Sequence, residues 1–180
     1  KTGFFGKYHT GKLPQFSPLK MGFKKFRGNN GCMDHHSRYN RWGKLNWWIG
    51  EETGYEAGYA TDLITDHGLN FIEENQKGPF LLYLADWCVH FPWQGPNDSA
   101  DFAKGVNNGT SPKKYGSQYP EEHKRAYKEM TEAQDRNIGR IINKLNFFDI
   151  AENTFFCFTS NRRRPNGQTG NEPLRGGGGQ

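Results

Sequence analysis

The chain has 180 residues, enough for one domain with its own hydrophobic core, and its 14 Phe, 8 Tyr and 5 Trp argue against disorder. Its mean hydropathy of −0.95 is low for a self-contained domain and is typical of a piece of a larger α/β protein. The net charge of +5 suits an anionic partner, although a solvated basic surface explains it as well. No apolar run is long enough to span a bilayer, and no C-x-x-C spacing indicates a zinc or redox motif.

The first half of the chain predicts a loop, a helix and a strand. Residues 1–50 are rich in Gly, Lys, Asn and Trp, and we interpret them as an extended loop region that follows a strand. Residues 55–76 form a helical pattern with one mostly apolar face. That face comprises Leu63, Ile64, His67, Phe71 and Ile72. Residues 80–87 are a continuous apolar run between a turn and a loop, as expected of a buried parallel strand.

The second half repeats this order. Residues 93–119 have the composition of a surface excursion, and Pro120 suits the first position of a long helix. An apolar stripe follows at Tyr127, Met130, Gln134, Ile138, Ile141, Ile142 and Leu145. Residues 154–159 predict a second buried strand, and Cys88 and Cys157 are expected to be buried. Alternating strands and helices predict an α/β fold with a mainly parallel sheet, crossover helices and chemistry at the carboxyl ends of the strands.

Lys7 and His9 are the first candidate site residues. Residues two apart on an extended chain point the same way, so these two side chains face one side. A cation and an imidazole together suit an oxyanion such as sulfate or phosphate. His90 is the next candidate because it lies just past a predicted strand, before Pro92, and its ordinary pKa suits a general acid. Asn161 lies just past the second predicted strand.

Four short segments in a fixed order resemble the type I sulfatases of the alkaline-phosphatase-like superfamily. They read Gly-Lys-Tyr-His at 6–9, Val-His-Phe-Pro at 89–92, Phe-Thr-Ser-Asn at 158–161 and Pro-Leu-Arg-Gly-Gly at 173–177. The resemblance implies that Lys7 contacts the sulfate and the nucleophile, and that His9 holds the nucleophile. It implies that His90 touches the sulfate and protonates the leaving alcohol. It assigns scaffold roles to Asp62 and to residues 135–141.

The resemblance also implies a Ca²⁺ ion and a formylglycine nucleophile, and here the sequence departs from the family. Where sulfatases carry Asp-Asn-Gly, this chain has Asn161, Arg162 and Arg163. Asn161 could offer a carbonyl oxygen to a metal, whereas arginine has no acceptor atom. We therefore predict a weak or absent calcium site. Gly178 replaces a sulfate-contacting lysine, and none of the three cysteines is followed by the Pro-Ser-Arg of the formylglycine motif.

The chain is thus interpreted as residues 1–180 of one partial sulfatase catalytic domain, without the family's upstream nucleophile segment and C-terminal part. The expected function is sulfuric ester hydrolysis of sulfated sugars or aryl sulfates by the complete form, with these residues alone inactive. Two alternatives stay open: a non-catalytic binder of sulfated glycans, and a phosphate or phosphonate ester hydrolase. The expected partner is a sulfated small molecule or glycan, not nucleic acid. The resemblance implies a secreted, periplasmic or lysosomal location; the chain shows no signal peptide.

Overall fold

A mixed five-stranded sheet organises the computed structural model, which describes residues 1–11, 13–100 and 120–160. The strands are β1 (Thr2–Tyr8), β2 (Lys25–Asn30), β3 (Trp48–Ile49), β4 (Glu52–Thr53) and β5 (Leu81–Ala85), in the spatial order β4-β3-β2-β1-β5. β1 runs parallel to both β2 and β5, while β3 and β4 add a short antiparallel edge. The predicted α/β class is confirmed, with parallel pairing at the centre of the sheet.

Two helices cover one face of this sheet. Helix α1 (Ala60–Asn75) buries Ile64, Phe71 and Ile72 against it, as the helical pattern predicts, although α1 begins five residues later than expected. Helix α2 (Pro120–Phe147) packs on α1. Ile142, predicted to lie in the apolar stripe of α2, is 41% exposed instead. The buried stripe is narrower than expected, and its members lie three or four residues apart, at Ala126, Met130, Ala133, Asn137, Ile141 and Leu145.

Polar contacts hold the two helices in register. The Asn137 side chain donates a hydrogen bond to the Asp62 carboxylate at 2.7 Å. Arg140 donates to Asn137 at 2.9 Å and pairs with Asp66, and Lys144 pairs with Glu73 at 2.7 Å. These contacts agree with the scaffold role expected of Asp62 and of residues 135–141.

Residues 1–50 contain three strands, so the prediction of an extended loop region there was wrong. β1 and β2 carry glycines that lower strand propensity, but the glycines are required by close backbone packing. An added Cβ at Gly6 would lie 2.2 Å from the Ala85 carbonyl oxygen, and one at Gly28 would lie 1.8 Å from the Gly6 oxygen. The sheet therefore selects glycine at positions where sequence patterns suggest a loop.

The strand predicted over residues 154–159 was also wrong. After a short 3₁₀ turn at Ala151–Asn153 the chain has no strand through Ser160, and Phe155 and Phe158 are 93% and 62% exposed. Residues 154–159 and β5 both line one cavity, and among the described residues no strand pairs with this segment. An apolar run becomes a strand only when a partner supplies the ladder hydrogen bonds.

Within the described residues, no helix has the length and apolar character needed to cross a membrane.

Replacing Gly6 by alanine tests the close strand packing. Gly6 has a positive φ of 121° and no room for a methyl group, so we expect Gly6→Ala to lower the free energy of unfolding by about 3 kcal/mol or more. Urea unfolding followed by circular dichroism measures this. Gly139→Ala is the matched control, because its Cβ meets open space on α2 and should stabilise the chain by about 0.5–1 kcal/mol. Equal effects of the two substitutions would contradict the packing argument.

Candidate functional site

The carboxyl ends of the three parallel strands meet at one corner of the sheet. β1 ends at Tyr8 beside Asn30 of β2, and Gly6 lies beside Ala85 at the end of β5. Lys7 and His9 line a cavity of about 1560 Å³ together with His90. The structure therefore brings together the three residues that the sequence singled out, although they come from opposite sides of α1 in the chain.

His90 is oriented by hydrogen bonds within its own loop. Its Nδ1 lies 2.7 Å from the carbonyl oxygen of Phe91, which can only accept, so Nδ1 carries a proton and donates. Its backbone N–H donates to the Trp87 carbonyl at 2.5 Å. With Nδ1–H engaged, Nε2 is the nitrogen that can exchange a proton with a ligand. Nε2 acts as a general acid in the imidazolium form, in which it also carries a proton.

Cys32 is a residue of this corner that the sequence reasoning missed. Its Sγ lies 3.6 Å from Nδ1 and 4.0 Å from Nε2 of His90. The residue before it, Gly31, lies under the His9 ring, since an added Cβ there would be 3.7 Å from His9 Nε2. Cys32 follows β2 as His90 follows β5, so predicting β2 would have placed the thiol at the same edge.

Asp86 adds an acidic group to the cavity wall just past β5. Burial raises the pKa of its carboxyl group to about 6, although the backbone N–H of Cys88, 3.0 Å away, stabilises the charged form. A neutral form of Asp86 is therefore accessible close to neutral pH. Protonation would remove one negative charge from a cavity that also holds Lys7.

Gln94 joins the loop after β2 to the loop after β5. Its Oε1 accepts from the His35 backbone N–H at 2.9 Å, and its Nε2 donates to Asp34 Oδ2 at 2.9 Å. Its carbonyl oxygen accepts from the Tyr59 hydroxyl at 2.8 Å. Gln94, Asp34 and His35 are fully buried, so these bonds are shielded from competing water. Gln94 thus links the loop of Cys32 to the loop of His90.

The His35 ring reinforces the same link by stacking. It lies 4.7 Å from the Trp87 ring and 5.6 Å from the Tyr59 ring, measured between centroids. Burial lowers the pKa of His35 to about 3, so the ring stays neutral throughout the physiological range. His35 is therefore a packing element rather than a proton donor.

The weak or absent calcium site expected from the sequence stays a prediction. Asn161 and the arginines after it lie outside the described residues, as does the segment with Gly178. In the part of the chain that the structure describes, no three His, Cys, Asp or Glu side chains are grouped so that they could hold a metal ion.

Comparison with known proteins identifies the class. The family profile named Sulfatase matches residues 1–179, and the chain belongs to the sulfatase family. It is 31% identical over 170 residues to N-acetylgalactosamine-6-sulfatase of Canis lupus familiaris and 32% identical over 174 residues to that of Mus musculus. These alignments cover 86% of this chain but 29% of each relative. The chain is thus a partial sulfatase domain.

Solved structures agree on the fold. Ps i-CgsB shares 25% identity with a TM-score of 0.58, covering 82% of this chain and 34% of that one. Its complex with k-i-k-neocarrahexaose gives 26% identity and a TM-score of 0.55 over the same shares. BT4656, solved with D-glucosamine-2-N,6-O-disulfate, has 19% identity and a TM-score of 0.54, covers 86% of this chain and 45% of that one, and supports the fold alone.

Replacing Asp86 by asparagine tests its raised pKa. The pKa is about 3.9 in an unfolded chain and about 6 in the folded state, so folding gains stability from protonated Asp86 below about pH 4 and loses it as pH rises through 6. Asp86→Asn stays neutral. Between about pH 4 and 7 we expect the unmodified chain to lose about 2 kcal/mol of unfolding free energy relative to the variant.

Urea unfolding at a series of pH values measures this difference. Asp149→Asn is the control, because Asp149 is exposed and asparagine tolerates its positive φ of 55°. Parallel stability curves for the unmodified chain and Asp86→Asn would contradict the raised pKa.

Gln94→Leu tests the link between the two loops. Leucine nearly matches glutamine in size but leaves the His35 N–H and the Asp34 carboxylate short of buried partners. We expect a loss of about 2–4 kcal/mol in unfolding free energy. The exposed Gln15→Leu should change it by less than about 0.5 kcal/mol. If both variants unfold at the same urea concentration, Gln94 does not hold the loops together.

Proposed function

We propose that this chain is the oxyanion-holding part of a sulfatase catalytic domain, which in complete form hydrolyses sulfated sugars or aryl sulfates. The observation that carries this proposal is that Lys7, His9 and His90 line one cavity at the carboxyl ends of parallel strands. The family resemblance assigns sulfate chemistry to the same three residues. Residues 1–180 are taken as one partial domain without the family's nucleophile segment and C-terminal part.

Each residue has a role that its chemistry supports. Lys7 supplies positive charge to a sulfate oxygen, and His9 offers a hydrogen bond to the same group or to a nucleophile. His90 protonates the alcohol that leaves when the sulfur–oxygen bond breaks, because its Nδ1–H is held by Phe91 and Nε2 can deliver the proton. In complete catalytic domains of the family, a formylglycine supplies the nucleophile. These 180 residues contain no sequence that matches its motif, so we expect no turnover from them alone.

A sulfated sugar is the favoured substrate class. The curated relatives are N-acetylgalactosamine-6-sulfatases, and the family membership extends over nearly the whole chain. By the same resemblance, we propose a secreted, periplasmic or lysosomal location. Calcium belongs to this proposal only through the family, with Asn161 as the one ligand that this chain would contribute.

A second candidate is a non-catalytic binder of sulfated glycans. The replacement of the family's metal loop by Asn161 and three arginines favours it, because guanidinium groups bind sulfate but repel a cation. Gly178 in place of the family's lysine likewise favours lost turnover. Both candidates need the same oxyanion cavity. A phosphate or phosphonate ester hydrolase is less favoured, because the Pro-Leu-Arg-Gly-Gly segment resembles the sulfatase branch.

Calorimetric titration with inorganic sulfate and with a sulfated monosaccharide tests the shared cavity. We expect Lys7→Met and His90→Gln each to weaken binding about tenfold, the effect of one lost charge-assisted hydrogen bond. Lys24→Met is the control, since Lys24 is exposed near the opposite end of β1, and it should bind like the unmodified chain. Equal binding by all variants would refute the proposed cavity.

A turnover assay with an aryl sulfate in the presence of calcium tests whether these 180 residues hydrolyse a sulfate ester without a formylglycine. Binding without hydrolysis is expected of these 180 residues. Hydrolysis that is lost in His90→Ala would mean that the chemistry proceeds without formylglycine, and the role of the missing nucleophile would be wrong. Recovery of activity when the chain is combined with the remainder of a sulfatase domain would favour the enzyme over the binder.

A further inference from the structure

Cys32 and His90 form a thiol–imidazole pair, and the proposed sulfatase chemistry uses the imidazole but not the thiol. The Sγ atom lies within 4.0 Å of both ring nitrogens of His90. The two residues come from different strand-end loops, and the Gln94 side chain links those loops. The contact is therefore built by the fold rather than by neighbouring positions in sequence.

The other two cysteines provide internal references. Cys88, which was expected to be buried, is half-buried like Cys32, but loss of contact with water raises the pKa of its thiol far above the ordinary value, and its Sγ donates a hydrogen bond to the Met130 carbonyl at 3.0 Å. Cys88 should therefore be inert. Cys157, which was expected to be buried, is exposed. Cys32 is half-buried, so its reactivity depends on its neighbours as well as on access.

We propose that Cys32 is a covalent modification site for small soft electrophiles, with low-molecular-weight disulfides as the chemical class. Nε2 of His90, 4.0 Å from Sγ, is the ring nitrogen that can accept the thiol proton, because Nδ1 donates its own proton to Phe91; the resulting thiolate is the reactive form. Cys32 Sγ contacts His90, and His90 lines the oxyanion cavity, so a group attached to Sγ lies against a side chain of that cavity. Modification would therefore block anion binding, and this consequence alone rests on the proposed function.

The exchange step is balanced without any further reagent. The Cys32 thiolate attacks one sulfur of the small disulfide, a new S–S bond forms and the original S–S bond breaks. The released half leaves as a thiolate and takes up the proton that His90 received. Cys32 is oxidised to the mixed-disulfide level while the released half is reduced to a thiol.

Site-resolved alkylation of the folded chain tests the pair. Iodoacetamide is the probe, because it reacts with the same thiolate and leaves a stable adduct that peptide mass spectrometry assigns to each cysteine. We expect Cys32 to react about fivefold faster in the folded chain than in concentrated guanidinium chloride, despite its partial burial. His90→Gln should abolish this excess. His36→Gln is the control, because the His36 ring contacts the Gly95 carbonyl rather than Cys32.

Cys88 reports whether each variant is folded, since it should stay unmodified in a folded chain. If Cys88 becomes modified in His90→Gln, that variant is unfolded and cannot be used. The test then rests on the Cys32 alkylation rates of the folded and the denatured unmodified chain. A Cys32 rate in the folded chain at or below the denatured rate would overturn the proposal. So would an excess rate that survives in a folded His90→Gln variant.

Inorganic sulfate separates this proposal from the proposed function. If both hold, sulfate slows alkylation of Cys32, and the alkylated chain binds sulfate about tenfold more weakly. Fast, His90-dependent alkylation with no sulfate binding would support the thiol–imidazole pair and refute the oxyanion cavity. Sulfate binding with slow Cys32 alkylation would support the oxyanion cavity and refute the thiol–imidazole pair.

Discussion

The close approach of three parallel backbones at Gly6 is the constraint on which the site depends. Gly28, Gly6 and Ala85 lie side by side across β2, β1 and β5, and neither glycine has room for a Cβ. Because these three paired residues are small, β2, β1 and β5 can stay in register up to their carboxyl ends. Lys7, near the carboxyl end of β1, therefore lies close to the loops that follow β2 and β5. A larger side chain at Gly6 would push β5 away and carry His90 with it.

Beyond the strand ends, the positions of the candidate site residues rest on buried polar contacts rather than on regular structure. Asp34, His35 and Gln94 are fully buried, and such groups are tolerated only when hydrogen bonds replace the lost water. Two loops with little secondary structure are thereby held in one arrangement. The same contacts place a thiol against the proposed general acid, so the reactivity of Cys32 and the geometry of His90 have a common structural origin.

The apolar surface along β5 fits a partial domain. Leu81 and Tyr83 are more than half exposed, and Phe155 and Phe158 across the cavity are exposed as well. Sheets usually cover or charge such an edge, since unpaired backbone groups and apolar side chains favour association. In the part of the chain that the structure describes, no strand pairs with the outer side of β5, and the chain spans 29% of the length of the sulfatase relatives it matches.

The sequence by itself determined the two helices, the strand that precedes His90, the α/β class and the sulfatase resemblance. Helical periodicity and motif spacing are local signals, so the buried positions Ile64 and Phe71 and the candidate site residues Lys7 and His90 could be named from the sequence. Only the tertiary structure decided that residues 1–50 pair as strands and that residues 154–159 do not. Strand formation depends on a partner that is distant in sequence. For the same reason the contact between Cys32 and His90 could not be predicted: it exists only because two strand ends meet at one corner of the sheet.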